Sequence, residues 1–151
     1  MRSFHWFLFQ LPWLPEKLVR AHDFAFVEFL WRLWSTLNYD DRAHMTTIKQ
    51  MLAQPGAVEA GLAYYRALLN AKNRDPALAE LTKQLDRPIS VPTRVLCGSR
   101  DMRKQLLEKQ RDLFSGTYQW SIIDGAGHFL HREKPNDVNR ELLSWLKPDE
   151  G

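Results

Sequence analysis

Residues able to do acid–base chemistry gather at two points in the second half of the chain. Ile122-Ile123-Asp124-Gly125-Ala126-Gly127-His128-Phe129-Leu130-His131 is an apolar, β-branched run that ends in two glycines and a histidine. Gly125 and Gly127 allow φ > 0 or a close backbone approach, so the chain can reverse within a few residues. His128 is then carried on a loop just past the C-terminal end of a strand, the edge where open α/β sheets bind ligands. Val95-Leu96-Cys97-Gly98-Ser99-Arg100-Asp101 also reads as a strand ending in Gly, with its acid 27 residues before His128. An imidazole with an ordinary pKa of about 6.5 is suited to take a proton at neutral pH. A carboxylate that accepts its other ring N–H keeps it oriented, so Asp101 and His128 read as the two supporting members of a nucleophile–His–acid triad.

Each residue has a plainer reading beside this one. His128 also fits a loop histidine with a local hydrogen bond, and Asp101 a turn or helix-cap aspartate before Met102. Asp124 is a rival acid. It precedes the turn, where bonding to the 125–127 backbone suits it better. His131 is a neighbour without a role. Cys97 lies within a buried strand with nothing nearby to lower its pKa, which makes it an inert thiol.

Composition narrows the partners. Of 151 residues, 44% are apolar and 26% charged, as expected of one soluble globular domain. The net charge of +3 is spread among interleaved acids and forms no Lys/Arg stripe, so nucleic acid is not an expected partner. A single cysteine excludes an internal disulfide and fits a reducing, cytoplasmic location. Cys97 has no partner cysteine and no His-x-x-x-His occurs, so neither metal nor cofactor is expected. After Arg2, the run Phe4-His5-Trp6-Phe7-Leu8-Phe9 loosely mimics a signal peptide. It is aromatic, is broken by Gln10 and Pro12, and lacks a small-residue cleavage site, so it reads as mature sequence. It falls well short of the roughly 20 apolar residues of a membrane span.

Two zones must position these residues. Residues 1–87 read as helical throughout. Residues 4–11 form a short helix or irregular lead-in, and Pro15 opens the next helix. Asp23 reads as an N-cap or first-turn acid before a helix with Phe24, Val27, Leu30, Trp31 and Trp34 at helical spacing. Phe26, Phe29 and Leu33 make that helix apolar nearly all round, as for one buried on two sides. A helix over 42–53 has Met45, Ile48, Met51 and Leu52 apolar. Gln54-Pro55-Gly56 ends it, and the next helix has Val58, Leu62, Tyr65 and Leu69 on one stripe. A short helix passes through Leu78, Leu81 and Leu85.

From residue 88 the pattern changes. Pro88 to Pro92 is extended, 93–97 is a strand, and 102–114 is a helix with a stripe of Leu106, Leu107, Gln110 and Leu113 that Ser115-Gly116 stops. Residues 118–123 are a second strand. Pro135 opens a last helix whose buried face is Val138, Leu142, Trp145 and Leu146, and Pro148 closes it. Residues 88–151 are thus a βαβα unit with two parallel strands and a right-handed crossover.

Val91-Pro92-Thr93-Arg94-Val95-Leu96-Cys97-Gly98-Ser99-Arg100-Asp101, then Gly125-Ala126-Gly127-His128-Phe129, then Pro135 and an amphipathic helix, resemble the C-terminal portion of an α/β-hydrolase-fold protein. Arg2-Ser3-Phe4-His5-Trp6-Phe7-Leu8-Phe9-Gln10-Leu11-Pro12-Trp13-Leu14-Pro15-Glu16 is similar to the start of the cap in epoxide-hydrolase-like members. Ala63-Tyr64-Tyr65-Arg66-Ala67 is similar to their second cap signature. The resemblance covers nearly the whole chain. It implies a partial α/β-hydrolase fold, with a helical cap over 1–87 and core over 88–151. It implies His128 and Asp101 as catalytic base and orienting acid, and Tyr65 as a phenol that stabilises the alkoxide of an opening epoxide. The family's first cap tyrosine aligns with His5. His5, Trp6 and Tyr65 are also similar to the halide-binding trio of haloacetate dehalogenases. Phe9 joins His5, Trp6 and Tyr65 as a substrate-binding candidate, and Trp13, Trp31 and Trp34 are apolar lining or core.

The family's nucleophile sits in Gly-x-Ser-x-Gly or Gly-x-Asp-x-Gly, and no two glycines of this chain stand four apart. The expectation is therefore a truncated hydrolase whose Ser or Asp nucleophile lies in an N-terminal half not encoded here, either a separately encoded partner or a part lost from a truncated gene. Its substrate is a small apolar epoxide, ester or halide, and the chain alone is inactive. A non-catalytic remnant that binds a partner or an apolar ligand is the alternative.

Overall fold

The computed structural model describes residues 4–37, 39–70, 72, 75–85 and 87–146. Arg2 and Ser3 of the cap-like signature, and Pro148, lie outside them. The chain divides into two compact units, one of residues 1–31 and 40–84, the other of 32–39 and 85–151.

The first unit is helical. Its helices are α1 (His5–Leu8), α2 (Leu14–Trp34, whose last three residues belong to the second unit), α3 (Arg42–Leu52), α4 (Ala57–Leu69) and α5 (Ala79–Gln84). Pro15 stands in the first turn of α2, where its missing N–H costs nothing. Gly56, at φ 78°, supplies the left-handed residue before α4. The core is Phe9, Val19, Phe24, Leu30, Met45, Val58 and Leu62. Asp23 stands where a new helix was expected to open: with His22 and Phe24 it forms a left-handed break that divides α2 into two helical stretches, and its carboxylate takes the Lys49 ammonium at 2.9 Å. One expectation needs correction: the stretch after the break is not buried all round, since Phe29 is half exposed.

The second unit holds β1 (Thr93–Gly98), α6 (Lys104–Glu108), a 3-10 turn (Lys109–Leu113), β2 (Tyr118–Ile123), α7 (Leu130–Glu133) and α8 (Pro135–Leu146). β1 and β2 pair in parallel, from Thr93 opposite Tyr118 to Gly98 opposite Ile123. Ile89, held extended between prolines, adds a parallel bridge to Phe114. Ile123, Ala126 and Val138 form the core, with Leu96 and Leu130 against it. The helix expected over 102–114 is short. Asp101 takes the Arg103 N–H at 2.7 Å, which keeps 101–103 in a turn, and 109–113 winds as 3-10. Leu106 and Leu113 of its expected stripe are exposed, as are Leu142 and Leu146 of α8. A sheet of two strands is too narrow to cover both helices. No helix of the described residues is long and apolar enough to cross a membrane.

Candidate active site

β1 and β2 end side by side, and each ending is built around a glycine. A Cβ on Gly98 would lie 2.3 Å from the Gly127 carbonyl oxygen and 2.4 Å from that of Ala126. Only glycine lets the loop after β2 fold down onto the end of β1. Gly125, at φ 71°, makes the reversal. Arg100 N–H donates to the Ala126 carbonyl at 2.9 Å and fastens the two strand ends together.

This close approach brings Asp101 and His128 together. Asp101 Oδ2 lies 3.0 Å from His128 Nδ1. The Asp101 side chain is only 5% exposed, against 33% for His128. Its other oxygen, Oδ1, accepts the Arg103 N–H, so the carboxylate is fixed from both sides. An ionised carboxylate can only accept here, so in the neutral imidazole Nδ1 carries the proton and Nε2 keeps its lone pair. The Trp34 ring stands edge-on to the imidazole at 5.8 Å, and Phe129 stands at 5.3 Å. The geometry is that of a general base oriented by a shielded acid.

Asp124 has another task. Its Oδ1 accepts the Ser99 hydroxyl at 3.1 Å, and Ser99 Oγ accepts the Gly125 N–H at 2.9 Å. The expected tie from Asp124 to the turn thus passes through Ser99. His131 is exposed. Cys97 is fully shielded, and burial, reinforced by the Asp101 charge, pushes its thiol from the ordinary 9.0 up to about 11. Such a thiol is no nucleophile.

The substrate-binding candidates meet in the helical unit. Tyr65 lies edge-on to His5 at 5.7 Å, to Trp6 at 6.3 Å and to Phe9 at 5.0 Å. His5 and Phe9 belong to the core, whereas Trp6 and Tyr65 are half-buried and keep part of their surface open. Arg66 ties the elements that bear them. It donates to the Phe9 and Leu11 carbonyls at 3.1 and 2.8 Å and to Glu16 Oε1 at 2.7 Å. Gln10 adds bonds to the Trp6 and Tyr65 carbonyls, each at 3.1 Å. A cleft of about 460 Å³ in this unit is lined by Asp23, Glu28, Arg42 and Lys49 among others, and includes none of the four candidates.

No family model matches the chain. Over 97% of its length it is 28% identical to epoxide hydrolase 3 of Mus musculus, and covers 38% of that protein. Over 92% of its length it is 32% identical to the AB hydrolase superfamily protein YfhM of Bacillus subtilis, and covers 46% of it. Among solved structures, Cfl2 of Burkholderia cenocepacia superposes with a TM-score of 0.79 at 19% identity, over 97% of this chain and 48% of that one. A putative alpha/beta hydrolase from Nostoc gives 0.77 at 21% identity, over 97% and 50%.

The chain has part of the α/β-hydrolase fold, and its sequence is similar to epoxide hydrolases. It spans less than half the length of the curated relatives it matches. The Asp101–His128 pair stands at the carboxyl ends of parallel strands, where this architecture places its ligands.

Three participants were not legible in the sequence as partners of the loop that carries His128. The Trp34 carbonyl accepts the His128 N–H at 3.0 Å, and Thr36 donates twice to Glu133. Glu133 also accepts from the backbone on both sides of His128. An acid shortly after His128 and just before Lys134-Pro135 is the only hint the sequence offers.

Proposed function

We propose that this chain supplies the base, the orienting acid and the cap of a hydrolase that works through a covalent intermediate. The observation that carries the reading is the 3.0 Å contact between shielded Asp101 and the outward imidazole of His128. A Ser or Asp nucleophile from outside these 151 residues attacks a small apolar substrate. His128 Nε2 then takes a proton from water, and the hydroxide equivalent releases the product. Asp101 stabilises the imidazolium that results. Relatives named epoxide hydrolases favour an epoxide over an ester or a halide. Tyr65 and Trp6 are the substrate-binding side chains, with the Tyr65 phenol donating to the developing alkoxide. His5 and Phe9 pack against Tyr65. The chain alone does not turn over.

Complementation tests this. The 151-residue chain is mixed with an N-terminal segment bearing Gly-x-Asp-x-Gly or Gly-x-Ser-x-Gly, and styrene oxide and p-nitrophenyl ester hydrolysis are followed. Turnover is expected only in the mixture. His128→Gln abolishes it, and Asp101→Asn lowers kcat by about 10³–10⁴-fold. Steady turnover by the isolated chain, or full activity in His128→Gln, sinks the proposal. Association of the two segments without turnover marks a binding module instead.

A further inference from the structure

Glu133 is the last residue of the four-residue helix α7, and its carboxylate collects four donors. Oε2 accepts the Thr36 N–H at 3.0 Å, the Thr36 hydroxyl at 2.7 Å and the Gly127 N–H at 3.0 Å. Oε1 accepts the Phe129 N–H at 3.2 Å. Gly127 and Phe129 flank His128, whose own N–H goes to the Trp34 carbonyl at 3.0 Å. Three successive amides of a loop are therefore all fixed, two by one side chain and one by the segment that the same side chain holds at Thr36. Gly127 belongs to this device. A Cβ there would meet the Trp34 oxygen at 2.8 Å, Glu133 Oε1 at 2.9 Å and the Thr36 nitrogen at 3.1 Å. The Glu133 N–H closes the arrangement by donating to the Phe129 carbonyl at 3.0 Å.

We propose that Glu133 is the positioning residue of the histidine: it fixes the 127–129 backbone so that His128 Nδ1 faces Asp101. This rests on His128 and Asp101 being base and orienting acid. The direction of an imidazole follows its Cα–Cβ bond, and that bond follows the φ/ψ of a loop residue with no sheet or helix to hold it. Asp101 is anchored separately, by the Arg103 N–H. The two sides of the contact thus have independent supports, and Glu133 is the one on the histidine side. A carboxylate provides what the task needs, since its two oxygens accept all four bonds at once and each is charge-assisted.

The test reads the ring directly and needs no catalysis. In the ¹⁵N-labelled full chain, long-range ¹H–¹⁵N correlations at a pH where the imidazole is neutral show which His128 nitrogen bears the proton. The His128→Gln spectrum assigns the signal. The native chain is expected in the Nδ1–H form. Asp101→Asn is expected to convert it to the Nε2–H form that an unrestrained imidazole prefers. Glu133→Leu keeps the volume, removes every acceptor, and is expected to lose the Nδ1–H majority. Glu133→Gln can place its oxygen at the Oε2 position, keep Thr36 and Gly127, and so retain the native tautomer. A purely structural role predicts lower stability in both Glu133 variants with the Nδ1–H form intact, and that result overturns the proposal. If Glu133→Leu does not fold, Glu133→Asp decides. Its carboxylate is one methylene too short to reach the loop, and an unchanged tautomer there overturns the proposal equally. If Asp101→Asn leaves the ring as it was, the base–acid reading itself fails. If only the Glu133 variants leave it unchanged, that reading survives and Glu133 loses its role.

Discussion

Gly98 carries no functional group, yet the contact between Asp101 and His128 depends on it. A methyl at this position must displace two backbone carbonyls. Gly98→Ala is expected to cost about 1–3 kcal/mol, the usual range for overpacking, and to part the imidazole from Asp101. Urea unfolding and the His128 ring signals check the two halves of that statement. Gly61 is the control. It lies inside α4 with nothing within 4 Å of a Cβ, so Gly61→Ala should raise stability by about 0.5–1 kcal/mol. Cys97 gives a pH-dependent prediction. Its thiol ionises later in the folded chain than in the unfolded one, so the unfolded chain loses the proton first as pH rises. The stability tied to this thiol is whole below about 9 and drains away towards 11. Thermal midpoints of native chain and Cys97→Ala compared across that window should diverge below it and converge above. Asp101 and His128 were legible in the sequence because each follows a strand ending marked by glycine. Glu133 was not, because its partners are mostly backbone amides, which carry no residue signature. Thr36, its side-chain partner, lies 97 residues away.

Among the elements, Arg66 does for the helices of the first unit what Glu133 does for the loop after β2. It gathers two carbonyls from the residues that follow α1 and the Glu16 carboxylate of α2. The guanidinium holds the Glu16 carboxyl below its ordinary 4.5. That part of the stability is present above 4.5 and is lost as pH falls through the lowered value. Arg66→Met should therefore cost about 1–3 kcal/mol at neutral pH and flatten the acid limb of the stability curve, as urea midpoints at pH 7 and pH 3 would show. A native-like acid limb in the variant contradicts the assignment. Most element boundaries were readable because proline and glycine punctuate them: Pro15 in α2, Gly56 before α4, Pro135 in α8. The break in α2 falls at Asp23, where the sequence placed a new helix start, but its left-handed conformation was not readable, since His22, Asp23 and Phe24 adopt positive φ without a glycine to announce it. The stripe over 102–114 misled for another reason. Leucines at helical spacing signal a face that wants cover, but not whether this chain supplies it. Leu106 and Leu113 remain 70% and 60% exposed.

At the scale of the molecule, those leucines join Leu142, Leu143 and Leu146 as apolar surface on a unit whose sheet has two strands. Uncovered apolar area and open strand edges both favour association. The purified chain is expected to bind a hydrophobic dye and to elute as concentration-dependent oligomers. Both effects should diminish when the complementing N-terminal segment is added. A monodisperse, dye-silent monomer would contradict this. The parallel register has a subtler signature. Thr93 and Ser99 send their N–H groups towards β2, to the carbonyls of Thr117 and Ile123. Neighbouring residues of a strand point alternately to either side, so Arg94, Leu96 and Gly98 aim theirs at the flank where, among the described residues, no strand pairs with β1. Amide deuteration along β1 should accordingly come and go with a period of two. If another strand docks beside β1, the fast-labelling half of that comb falls silent and reports which flank has been taken.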